Sequence, residues 1–73
     1  MSRIVALGDR RQLEGFELAG VGVVHADDRD GARTAWSNLA SDVSVVIFTP
    51  SAEHAVSDLL DLHPEVIWTT LPA

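Results

Sequence analysis

Four short runs of apolar, largely β-branched residues, at positions 4–7, 21–25, 43–48 and 66–69, punctuate the chain. Each has the length and composition of a β-strand. The first three are almost continuously apolar, which predicts strands covered on both faces. Between them the hydrophobic spacing lengthens to the helical period. In the first intervening segment Leu13 and Phe16 supply an inward stripe, and Gly20 is placed to stop the helix. In the second, Ala32, Ala35, Trp36 and Leu39 fall at i, i+3, i+4 and i+7. In the third, Ala52, Ala55, Val56, Leu59 and Leu60 share one face, and His63-Pro64 ends it.

The polar residues flanking these stripes agree with them. Asp9 stands where a helix N-cap belongs, with Gln12 three positions on, in the spacing of a capping box. Asp27 or Asp28 opens the second helix, and Gly31 weakens it slightly. Thr49 caps the third, with Pro50 at the first helical position, where a missing N–H costs nothing. Strands alternating with helices predict a β-α-β-α-β-α-β chain with a parallel sheet and right-handed crossovers. The fold class is α/β: three layers, a four-stranded parallel sheet in the order 2-1-3-4, flavodoxin- or Rossmann-like, helices on both faces. Residues 1–73 are expected to form one domain, near the lower size limit for a single unaided core.

Charge narrows the partners. All five basic residues are arginine, between Arg3 and Arg33, where six acids offset them. Residues 34–73 hold Asp42, Glu53, Asp58, Asp61 and Glu65 and no base except histidine. Such a surface repels nucleic-acid phosphates and anionic lipid, and favours a basic partner. The absence of cysteine rules out disulfides and thiolate chemistry and points to the cytosol. No run reaches the ~20 apolar residues of a membrane span, so direct membrane insertion is not expected.

Chemistry-bearing residues are few. Asp9 follows the first strand near the point where open α/β sheets bind ligands. It suits a metal or a ribose hydroxyl, but its spacing favours a helix cap. Gly8 stands alone and Gly15 comes too late for a dinucleotide fingerprint, while a Walker loop needs a lysine the chain lacks. Without that lysine, and with Phe48-Thr49 after the third strand, a phosphorylated receiver is also excluded. Thr49 and Ser51 suit an anion at a helix N-terminus, though capping explains them equally. His54 and Asp58 have metal-ligand spacing without a convergent third group, so a solvated face with one weak ion pair is expected. His25 lies near Asp27 and Asp28, but no serine is placed to make a triad of them. Arg10 and Arg11 flank the first turn and suit a partner's carboxylates, or simply solvent. Trp36 and Trp68 suit the core or a sheet edge; a partly exposed tryptophan is a good interface anchor. No catalytic, cofactor-binding or metal residue is therefore assigned.

On Gly8-Asp9, Gly15-Phe16, Leu18-Ala19-Gly20-Val21, Asp42 with Val45-Val46-Ile47-Phe48-Thr49, and closing Leu71-Pro72, the chain resembles the F subunit of the V-type and A-type rotary ATPases. Gln12 stands where that family carries a threonine. The resemblance implies a non-catalytic central-stalk subunit without cofactor, docked on the coiled-coil stalk subunit among other ATPase subunits. It further implies a cytoplasmic place, peripheral to the membrane, supporting the coupling of ATP hydrolysis or synthesis to proton or sodium transport. The family usually adds a C-terminal helical tail after the fourth strand; the sequence here ends at Ala73, so tail-dependent regulation is not carried over. Docking is expected through Arg10, Arg11, Phe16 and Trp68. The 66–70 edge and the outer surface of the third helix are expected to pair with a partner or a second copy. The residues alone also fit a stand-alone flavodoxin-like interaction or ligand-sensing domain, as a homodimer, or a small enzyme using the switch-point cleft.

Overall fold

The computed structural model describes residues 3–18 and 21–72, residues 16–18 by their backbone alone. In chain order the elements are β1 (Arg3–Gly8), α1 (Arg10–Leu18), β2 (Gly22–His25), α2 (Arg29–Ser37), β3 (Val43–Phe48), α3 (Pro50–Ala55), a 3-10 turn (Leu60–Leu62) and β4 (Ile67–Thr70). All pairings are parallel and the sheet order is β2-β1-β3-β4, as the alternation predicts. β3 has its predicted bounds and β2 its predicted end, and the remaining strand ends move by one residue. β1, for example, begins at Arg3 because its N–H reaches Asp42 O at 2.8 Å. The expected helix stop at Gly20 lies outside the described residues.

Register and the alternation of side chains along a strand divide the sheet into two faces. Val5, Leu7, Val46 and Phe48 point toward α2 and α3. There they join Ala32, Trp36, Ala52, Ala55 and Val56 in one buried cluster. Ile4, Ala6, Val45, Ile47 and Ile67 occupy the opposite face. α1 packs there on β1 and β2, and Leu13 and Ala6 are fully buried. Right-handed crossovers produce this division: the chain runs one way across the sheet from β1 to β2, and the other way from β2 to β3 and β4. Two helices therefore share one face and one helix serves the other. Full cover of the first three strands holds at Ala6, Leu7 and Val46 but fails at Ile4, 48% exposed, and at Val24 on the β2 edge.

The caps form as their sequence suggests. The Asp28 carboxylate accepts from Gly31 N at 2.6 Å, and Thr49 Oγ1 accepts from Ala52 N at 3.4 Å with Pro50 leading α3. A Cβ at Gly31 would stand 2.9 Å from Asp28 Oδ1. The residue that lowers helix propensity thus also makes room for the cap.

The third helix is shorter than its stripe predicts. It ends at Ala55, and the chain continues through turns into Leu60–Leu62. Groups far away in sequence take the carbonyls that a continuing helix needs. Arg33 Nη1 donates to Ala55 O at 3.0 Å and the Trp36 indole donates to Leu59 O at 2.6 Å. Locally, Ser57 Oγ donates to His54 O at 3.1 Å, a competing bond of the kind that unwinds helix ends. The apolar residues still reach the core, Val56 fully buried and Leu59 and Leu60 packed on its rim.

Candidate functional site

The C-terminal ends of β1 and β3 form the switch point of this sheet, where its connections turn in opposite directions. Thr49 N donates to Leu7 O at 3.1 Å and fixes the two strand ends together. The Thr49 side chain, fully buried, lies so close to the Gly8 Cα that any Cβ at position 8 would collide with it. Gly8 is therefore required by close packing. Threonine atoms fill the part of the crevice where open α/β sheets usually receive ligands.

Beside this point lies an open cleft of about 200 Å³, between the starts of α2 and α3. Asp27, Asp28, Arg29, Ser51 and His54 supply its polar lining. Both carboxylates hold backbone: Asp27 Oδ1 accepts from Arg10 N at 3.1 Å, and Asp28 caps α2. Asp9 immediately precedes α1, at the position of a cap. Among the described residues, no three side chains of metal-ligating type converge.

Asp58 does not pair with His54. Once α3 ends at Ala55, Asp58 leaves the helical register and meets Arg33 of α2 instead. The two guanidinium nitrogens bond the two carboxylate oxygens at 2.6 and 3.3 Å. The hydrogen bond from Arg33 holds the Asp58 carboxyl below its ordinary value, and the same bond raises that of the guanidinium. Arg33 thereby ties α2 both to the end of α3 and to the turn after it. Sequence reading misses this pair because nothing local links residues 33 and 58. The one available signal is the place of Arg33 beside Ala32 at the edge of the α2 stripe.

Trp36 is a second tie. It packs on Phe48 at 5.4 Å between ring centroids and on His63 edge-on at 4.8 Å. His63 Nε2 lies 2.8 Å from Trp36 O, with Glu65 3.7 Å from its other ring nitrogen. Phe48 continues the chain of rings to Trp68 at 5.9 Å. Trp36 is wholly buried, whereas Trp68 on the outer strand remains 39% exposed.

The expected docking residues do not form one patch. Arg10 and Arg11 are exposed at the start of α1, in the layer on one face. Trp68 shares the opposite face with Phe48. Phe16 lies within α1, but its side chain is outside the described residues. The expected 66–70 edge corresponds to β4, paired with β3 on one side. Within that edge sequence reading singles out Trp68; the structure adds the Ile67 side chain, on the α1 face and 72% exposed. Among the described residues, no helix is long and apolar enough to cross a membrane.

No curated protein matches the sequence. Residues 4–72, from the second residue of β1 to just past β4, match the family of the ATP synthase (F/14-kDa) subunit. A match of that extent takes in the Gly8–Thr49 interlock and all four strands, and the chain belongs to this family of rotary ATPase components.

Proposed function

We propose that this chain is a non-catalytic central-stalk subunit of a V/A-type rotary ATPase. It docks on the coiled-coil stalk subunit and turns with it, peripheral to the membrane on the cytoplasmic side. In that place it supports coupling between ATP hydrolysis or synthesis and proton or sodium transport. The family match over residues 4–72 carries this reading. The packing of Thr49 against Gly8 supports it, because that contact spends the switch-point crevice on structure. So does the use of the Asp27 and Asp28 carboxylates as backbone acceptors. Residues 1–73 act as one folding unit. Docking draws on Arg10 and Arg11, Phe16, and Trp68 with the β4 edge, whose outer backbone groups offer an unpaired ladder.

The test mixes the purified chain with the purified coiled-coil stalk subunit of the same cell's rotary ATPase and measures mass by light scattering. A stable one-to-one complex, with no ATP turnover by the chain alone, is expected. Two unassociated species at micromolar concentration, or turnover by the isolated chain, would refute the assignment.

A further inference from the structure

Among the described residues, the α1 face of the sheet is half covered. α1 lies over β1 and β2, while Ile4, Val45, Ile47, Ile67 and Thr69 form a strip beside it over β1, β3 and β4. Ile67 and Ile4 are the most open apolar members, at 72% and 48% exposure, and Val45 and Ile47 are half-buried. Parallel strands are ordinarily covered on both faces, so such a strip marks a missing layer.

Its width suits one occupant. Strands lie ~4.8 Å apart, and a helix with side chains is ~10 Å across, so two strands seat one helix lying beside α1. Charge selects the kind of helix. The chain carries a formal net charge of −6, and residues 34–73, which supply β3 and β4, hold five acids and no arginine or lysine. Arg3, at the start of β1, is held by Asp42 at 2.9 Å. A second copy would bring the same sign of charge. A patch of five side chains, two already half-buried, also falls well short of the ~800 Å² per partner of a stable dimer.

We propose that this strip seats one amphipathic helix of a partner protein, its apolar face on Ile4, Val45, Ile47 and Ile67 and its flanks basic. The assignment rests on the docking reading above and adds a helix seat to it. It differs from docking through Trp68, which points to the other face.

Two synthetic helical peptides of about 18 residues, one of leucine and lysine and one of leucine and glutamate, serve as probes in amide-resolved NMR titrations. The leucine–lysine peptide is expected to shift the amides of Ile4, Val45, Ile47 and Ile67. The leucine–glutamate peptide should bind at least tenfold more weakly. Ile67→Glu, at an exposed site where the fold tolerates charge, should lower affinity for the basic peptide at least tenfold. Ile4→Glu is a second, independent variant with the same expectation. Shifts centred elsewhere, equal affinity for both peptides, or unchanged binding by both variants would overturn the proposal. Dimerisation of the chain alone that Ile67→Glu abolishes would also overturn it, in favour of a second copy. A parallel titration with the purified coiled-coil stalk subunit separates the two claims. If the stalk binds wild type and Ile67→Glu equally, the rotor reading stands and the strip is wrong. If the basic peptide binds the strip and the stalk does not bind, the strip stands and the rotor reading fails.

Discussion

The two faces of this sheet are finished to different degrees. On the α2–α3 side, Trp36, Phe48 and His63 interlock, and long-range donors from α2 hold the carbonyls at Ala55 and Leu59. On the α1 side, one helix covers two strands and Ile67 stands 72% exposed. Both faces are apolar, so hydrophobicity alone does not separate them. What separates them is which apolar residues already have partners. The closed face holds the larger buried cluster, and the open one is the surface proposed for assembly.

Substitutions that probe the two faces should therefore differ in size. Trp36→Ala removes a fully buried indole and its bond to Leu59 O, and is expected to cost ~3–5 kcal/mol. That is most of the stability of so small a unit, so the cooperative urea transition should shrink or vanish. A Trp36→Ala protein with an unchanged midpoint would dismiss the closed-face account. Gly8→Ala comes next, at roughly 1–3 kcal/mol, through overpacking against Thr49. Because the loss arises at one contact, Gly8→Ala and Thr49→Gly should be strongly non-additive in a double-mutant cycle. Additive losses would show that the contact is not the cause.

The Arg33–Asp58 tie gives a smaller effect with a defined pH dependence. The Asp58 carboxyl is depressed in the folded chain, so the folded state binds its proton less readily than the unfolded state does. Its contribution is present above the ordinary carboxylate range and is lost as pH falls through the lowered value, below about pH 4. Asp58→Asn should remove that part of the acid-induced fall in melting temperature, with less effect at neutral pH than Gly8→Ala has. An identical acid limb in wild type and variant would count against the tie. Smallest of all, Ile67→Thr should change stability by no more than ~0.5 kcal/mol, because an exposed side chain has little packing to lose. A loss near that of Trp36→Ala would mean that the open face is closed in solution.

The same contrast explains what the sequence reveals. Strand order, the Asp28 and Thr49 caps and Pro50 at the head of α3 are legible because each depends on neighbours a few residues away. Family membership is legible from Gly8-Asp9 and the strand that leads into Thr49, and the fold packs Gly8 against Thr49. The end of α3 was not legible, since Arg33 and Trp36 settle it across more than twenty positions. The partner of Asp58 was lost for the same reason. The open strip was hidden because β3 is apolar at successive positions and its pattern gives no sign of which face lacks a cover. The candidate docking residues stand out by type, and type does not reveal that Trp68 and Arg10 lie in different layers.

Hydrogen–deuterium exchange of the chain alone and in complex with the coiled-coil stalk subunit tests the central contrast most directly. Slowed exchange at β4 and the adjoining residues of β3, with the α2–α3 joint unchanged, is the predicted result. Slowing confined to α2 and α3, or no change at β4 in a complex that has formed, would contradict it.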